Sequence, residues 1–350
     1  MLRVRQALLD DLQAGTVDAV LAALAQALKL EHATIPPYLY AMYSLDPAKN
    51  GEIADLIQSV VVEEMLHMTL VCNIINALGG APSLDTPDAI PTYPGPLPGG
   101  IDEDLRVGLA PFSRDLVKLV FMEIEEPEDP LTFPVRMAAL GAPAGPPTIG
   151  AFYDAIKTQI VALGDGAFCK QPRNQIAPDL MPEAVVVTDV ASAVAAIETI
   201  VEQGEGTATS PQEVVGGDYA HYYRFAEVYH GRRLIANEDA GPNAPPDDRF
   251  IYAGAPIPFD PTGVYPIPTN PKAAMYVPGN ADRRAVDLFN YTYTGMLRSL
   301  HRVFNGETAA LGAAIGMMFS LRQQAMDMML GNTTGGERVG PTFEYQLTSP

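Results

Sequence analysis

Apolar side chains recur along this chain at alternating steps of three and four residues over 17–44, 51–78, 113–126, 189–204, 216–231, 283–304 and 309–330. That spacing gathers the apolar positions on one face of an α-helix, so the pattern predicts a mainly α protein. Gly79 and Gly80 mark the stop of the second helix, and Pro36 and Pro37 interrupt the first shortly after Glu31. Proline collects between the periodic stretches, at 82–100, 141–150 and 241–271. These segments also carry aromatic and branched apolar residues, which predicts long irregular loops packed over the helices. EAVVVTD at 183–189 reads as a short strand. The division expected is a helical bundle over 1–232, with a proline-rich loop region and a C-terminal helix pair over 233–350 packed on it.

Polar residues that break the apolar rhythm carry the chemistry. The inward seam of the second helix is Ile53, Ile57, Val60, Glu64, His67, Val71, Ile74 and Leu78, so Glu64 and His67 take positions where aliphatic residues are expected. Residues three apart project to the same side of a helix. The first helix repeats the anomaly, with Glu31 on the seam of Leu21, Leu24, Leu28 and Ile35. In the stretch from 216, Asp218, His221, Phe225 and Val228 fall at helical steps and reproduce the acid-x-x-His spacing. The helix of 189–204 offers Glu198, Glu202 and Glu205 on one face. Glu202 is preferred, because its place in VEQGEGT matches that of Glu31 in LEHAT if two helix pairs are related by an approximate two-fold axis. Glu205 is the reserve, since it lies between Gly204 and Gly206 where the helix should end.

A carboxylate stranded in an apolar core costs several kcal/mol unless it is protonated, paired or bound to a cation. One Glu from each of two helices plus an acid-x-x-His from each of two others is the ligand set of ferritin-like di-iron and di-manganese bundles. The candidate metal ligands are therefore Glu31, Glu64, His67, Glu202, Asp218 and His221. The competing interpretation leaves Glu63 and Glu64 solvated and lets His67 hydrogen-bond a backbone carbonyl. Oxygen donors predominate over sulfur, which favours iron, then manganese, with zinc also possible.

Charge and cysteine usage narrow the setting. Forty-two acidic against 22 basic side chains give a net charge of -20, which repels nucleic acid and anionic membrane surfaces. Two cysteines, Cys72 and Cys169, provide no disulfide framework, and the acids near the N-terminus do not suit a secretory signal, so a reduced, cytoplasmic protein is expected. The apolar run 309–321 is too short to span a bilayer of roughly 20 residues. A homodimer is compatible with these features.

LEHATIPPYLYAMYSL (30–45), VVVEEMLHMTLVCNIINALGGAP (60–82), IVEQGEG (200–206) and HYYRF (221–225) resemble the ferritin-like domain of the iminophenyl-pyruvate dimer synthase family. FMEIEEPE (121–128), TIGAFYDAI (148–156) and GPTFEY (340–345) extend the likeness over most of the chain. The family includes a longer violacein-pathway enzyme that couples two imines derived from indole-3-pyruvate. The resemblance implies a ferritin-like four-helix bundle with a di-metal centre at Glu31, Glu64, His67, Glu202 and His221. Asp218 stands where the resemblance implies a longer glutamate, and Ala151 where relatives often carry an acid. The activity implied is a metal-dependent oxidoreductase acting on a small amino-acid-derived metabolite, with oxidative imine coupling as its specific form. The alternatives are a metal-binding or storage protein, and a scaffold with a decayed metal site.

Other residues are read as structural. Tyr38, Tyr40, Tyr43, Tyr219, Tyr222 and Tyr223 are expected to pack in the core with satisfied hydroxyls. The methionines of 316–329 fill gaps beside the C-terminal helices. His32, His230 and His301 are assigned no ligand role, and Glu125 is expected to stand behind the metal ligands. Pro36 and Pro37 either open the bundle beside the site or mark a stop and restart of the helix.

Overall fold

Two long helices form the spine: α2, Val17–Tyr43, and α3, Pro47–Ala77, with the short helix α1, Gln6–Leu12, ahead of them. The Thr16 hydroxyl accepts from the Ala19 amide at the start of α2, and Asp46 caps α3 with Pro47 in the first turn, where a missing N–H is harmless. A three-residue link, 44–46, turns the chain back so that α2 and α3 pack along their length. Every residue of the predicted α3 seam, from Ile53 to Leu78, is buried. The computed structural model describes residues 6–98, 105–127, 130–133, 149–207, 209–213, 217–241, 243–331 and 338–349, with side chains from residue 9 onward. The predicted loop 141–150 lies largely outside the described residues.

Pro36 and Pro37 do not interrupt α2, which runs through them. Pro37 has no amide to offer the carbonyl of Ala33, and the hydroxyl of Tyr93 takes that place at 2.8 Å. An element outside the helix thus satisfies the backbone group that proline releases. The α3 stop matches expectation: Leu78 is the cap residue and Gly79 follows at φ +85°, a conformation that suits a residue without a Cβ.

Three further helical units surround the spine. The first runs Arg114–Leu116 (α4), then a π-helical stretch Val117–Phe121, then Met122–Ile124 (α5). The second pairs α6, Ile149–Leu163, with α7, Val190–Glu205, whose start carries a reciprocal Asp189–Ser192 capping box. The third is α8, His221–His230, which packs on the π-helical stretch and touches α3 and α7. Helix α6 was not among the predicted elements. Helix α8 begins five residues later than its periodicity implied, and Gln212 pairs antiparallel with Tyr219 ahead of it.

A two-stranded antiparallel ribbon follows, β1 Arg232–Ala236 and β2 Phe250–Pro256, with Leu234 opposite Tyr252. It lies in a region expected to be loop, while 183–189 forms no strand. The C-terminal pair, α9 Ala281–Phe304 and α10 Leu311–Leu330, packs on α2 and α3. Its buried residues, among them Phe289, Leu297 and Ala325, belong to the same apolar cluster as Leu24 and Ile57. The loop 82–98 also contributes, through Leu84, Ile90, Tyr93 and Leu97. Among the described residues, α3 is long and apolar enough to cross a bilayer, but 83% of its most apolar window is buried inside the protein. It is the core helix of the bundle.

Candidate metal centre

Midway along the spine the apolar core gives way to a pocket of acid and imidazole. From α2, Glu31 points inward between Leu28 and Ile35; from α3, Glu64 and His67 meet it, as their i, i+3 spacing requires. His221 enters from the first position of α8, and Glu125 from the residue that caps α5. All five are buried, with relative exposures from 0% for His221 to 7% for Glu125. The ligand atoms fall into two overlapping groups, Glu31–Glu64–His67 and Glu64–Glu125–His221, each within 4.8 Å of one another. Glu64 belongs to both.

The two imidazoles present the same face to the carboxylates. Nδ1 of His67 lies 3.4 Å from Glu31 Oε2 and 3.9 Å from Glu64 Oε2. Nδ1 of His221 lies 2.9 Å from Glu64 Oε1 and 3.5 Å from Glu125 Oε2. The rings stand 5.3 Å apart, centroid to centroid, inclined by 25°. On its far side His67 meets Gln203 Oε1 at 3.0 Å, and the Gln203 amide is oriented by its own donation to Glu183 at 3.0 Å. His221 meets Glu63 at 2.9 Å through Nε2, and Glu63 is paired with Arg224. Each outer partner accepts a hydrogen bond, so each fixes the tautomer that carries its proton on Nε2 and leaves the Nδ1 lone pair facing inward.

Carboxylate orientation is fixed as well. Tyr153 donates to Glu31, Tyr38 donates to Glu125, and Thr34 donates to Glu64 Oε2 at 3.1 Å. Burial and the neighbouring carboxylates push both tyrosine hydroxyls well above their usual pKa, so they remain donors. Burial, reinforced by the charge of Glu125, raises Glu64 to about 7. Burial also disfavours charge on Glu63, but His221 and Arg224 outweigh it and hold that carboxyl at about 2. At the histidines burial again opposes the charged form. Hydrogen bonds and charges of Glu31 and Glu64 still raise His67, and those of Glu125, Glu63 and Glu64 raise His221 further. A cluster that draws protons onto two buried imidazoles would stabilise any cation placed among the same oxygens.

The donor set fits a metal pair. Nδ1 of His221 is fully buried and lacks a well-aligned hydrogen-bond partner among the described residues, although two carboxylates face it. Oxygen and imidazole donors in this ratio suit iron, manganese or zinc. Beside them lies a cavity of about 30 Å³, walled by Ile124, Ile149, Ile200 and Val201 and reached by Glu205. Gly150 borders it, and its amide donates to Glu205 at 2.7 Å. A Cβ at Gly150 would come within 2.5 Å of that carboxylate.

Of the residues expected from sequence, Glu31, Glu64, His67 and His221 come together. Glu202 and Asp218 join neither group. The buried face of α7 is Ala193, Ile197, Ile200, Gln203 and Gly204; Glu202 is half-buried, displaced from Gln203 by about 100° around the helix. Asp218 is exposed and lies ahead of α8, in the extended return after Gln212, so helical spacing to His221 does not apply. Glu125, expected behind the ligands, is in the second group itself. Sequence reasoning did not identify Gln203, Tyr153 or the Glu63–Arg224 pair; the doubled acid of EEMLH was the visible hint of the last.

Comparison with known proteins agrees with this architecture. Dichlorochromopyrrolate synthase of Lentzea aerocolonigenes is 26% identical over 335 residues, an alignment taking in 84% of this chain and 30% of that protein. The chain therefore spans less than a third of that relative's length. A ferritin-like protein from Caulobacter vibrioides has a crystal structure that matches with a TM-score of 0.60 at 23% identity, covering 95% of this chain and 99% of that one. At that identity the likeness is one of fold. The ferritin-like family model matches residues 24–230, which hold all five clustered residues, and the chain belongs to the ferritin-like family.

Proposed function

We propose that this protein is a non-haem, metal-dependent oxidoreductase in which Glu31, Glu64, His67, Glu125 and His221 hold two metal ions. Iron is the first choice and manganese the second. The single observation that supports this reading is the double membership of Glu64: one buried carboxylate faces the Nδ1 atoms of two histidines, each anchored from behind. Cations held among these residues would neutralise the buried anions.

Bound iron would supply one-electron redox chemistry. The protein's own residues do the rest. Gln203 and Glu63 hold the imidazoles as Nδ1 ligands, while Tyr38 and Tyr153 hold the outer oxygens of Glu125 and Glu31. The apolar wall of Ile124, Ile149, Ile200 and Val201 limits water beside the donors. The substrate proposed is a small amino-acid-derived metabolite, and the reaction an oxidative coupling of imines. The likeness to dichlorochromopyrrolate synthase supports this, over the part of that enzyme the chain spans.

Reconstitution with ferrous iron under anaerobic conditions, followed by dioxygen, tests the reading. The expected result is oxygen uptake coupled to metal oxidation and accelerated by an imine or its parent amino acid. Full metal loading with no acceleration by any such compound would favour the storage alternative. A cage of many subunits on gel filtration would do the same.

A further inference from the structure

A second cavity lies on the outer side of the spine, away from the carboxylate cluster. It occupies about 620 Å³ between α2, α3, α9, α10 and the segment 180–183. That volume falls within the range of small-molecule sites. Its walls are largely carbon and sulfur, including Leu39, Met65, Met68, Met296, Met318 and Phe343. Flexible methionines of this kind adapt to varied ligand shapes. Four apolar side chains at its lining, Val62, Leu180, Ile315 and Phe319, are more than a third exposed, so the cavity opens to solvent through an apolar mouth.

The polar groups in this cavity are unequal. Glu63 is engaged with Arg224 and His221, Glu183 with Gln203, and His32 with Ala89 and Tyr293. The exposed Arg322 and the buried Tyr43, by contrast, line the cavity with no side-chain hydrogen bond or ion pair among the described residues. Arg322 and Tyr43 share the lining of this cavity, and the positive charge of Arg322 opposes the upward pull of burial on the Tyr43 hydroxyl. Arg224, Arg233, Arg283 and Arg302 sit on carboxylates, whereas Arg322, like the exposed Arg298, has no carboxylate partner among the described residues, and it is Arg322 that lines the cavity. An exposed guanidinium at the rim of an apolar chamber, with the Tyr43 side chain on the same lining, is the complement of an anionic head on an apolar body.

We infer that the cavity between α3 and α10 binds a small amphipathic carboxylic acid, with its carboxylate on Arg322 and Tyr43 and its apolar body among the methionines. Glu63 and Glu183, which stand behind the metal-facing histidines, form part of its wall, but the ligand is placed on other residues, so the inference does not rest on the function proposed above. Aliphatic and aryl acids share this chemistry.

Binding of dodecanoate and of phenylpropanoate to the full chain as purified, by calorimetry and by displacement of anilinonaphthalene sulfonate, distinguishes the two sources. At least one acid should bind at a single site per chain, about tenfold more tightly than its neutral methyl ester. Arg322→Gln should reduce that acid to the level of the ester and leave the ester unchanged. Val62→Trp, at the exposed mouth, should weaken both. Both variants should keep the metal content and helicity of the parent. Absence of saturable binding, equal affinity for acid and ester, or an unaltered acid affinity in Arg322→Gln would overturn the inference. So would a stable dimer that Phe319→Asp dissociates in a chain that binds neither acid, since a second copy would then cover the groove.

Discussion

Oε1 of Glu64 lies 2.9 Å from Nδ1 of His221, although 157 residues separate them in the chain. The other oxygen of the same carboxylate faces His67, its neighbour three residues along α3. Glu64 is therefore the element common to both donor groups, and its removal should affect both positions together.

Glu64→Ala should abolish binding of both ions, taking the metal content from two per chain to near zero. Glu125→Ala should lose one ion, because the Glu31–Glu64–His67 group remains. Asp218→Ala should leave the content at two, since that residue is exposed. Elemental analysis of the three variants, purified without chelator, separates these outcomes.

Gln203→Leu removes the acceptor that holds the Nε2 proton of His67. Metal affinity should fall by about 10- to 100-fold with little change in fold. A competition titration against a metal-binding dye measures this. An unchanged affinity would mean that packing alone orients the ring.

Stability should depend on pH with opposite slopes in the metal-free and metal-loaded forms. His67 and His221 are raised above their ordinary 6.5 in the folded state, so the stability they contribute is fully present below 6.5 and lost as pH rises. Glu64, raised to about 7, acts in the same direction. The depressed groups act elsewhere: Glu63, at about 2, and His32, at about 4, lose their contribution as pH falls. From about pH 6.5 to 8 the melting temperature of metal-free protein should decline, whereas the metal-loaded form should gain, because metal binding requires the free Nδ1 lone pairs. Thermal melts of the two forms across this window check the sign.

Tyr93→Phe should destabilise the protein by about 1–3 kcal/mol, the penalty for leaving a buried carbonyl, that of Ala33, without its donor. Tyr293→Phe removes the hydroxyl that meets Nε2 of His32 at 2.7 Å and should have a similar effect. Urea denaturation measures both. Neither change should alter metal content.

The spine of the site was legible because its helices are long: each repeats its period many times, and a polar residue on such a seam stands out. Glu31, Glu64 and His67 are singled out in this way, and the fold brings the three together. Spacing pairs His221 with Asp218, but a ten-residue helix cannot reveal where it starts, and the pairing of Gln212 with Tyr219 ahead of it depends on backbone hydrogen bonds. Glu202 was preferred to its neighbours by an assumed symmetry, but the packing of α7 turns Gln203 inward instead. Glu125 is placed by sequence behind the ligands and not among them, because its helix is a short α–π–α composite in which the π stretch changes the phase that periodicity relies on. Pro36 and Pro37 suggested a break that Tyr93 makes unnecessary, a long-range compensation invisible in local sequence.

Anomalous diffraction from crystals of the metal-loaded chain tests the central claim most directly. Two peaks about 3.5–4 Å apart are expected, one at Nδ1 of each histidine, with the Glu64 carboxylate between them. No peak at either histidine, or a lone ion bound without contact to Glu64, would contradict it.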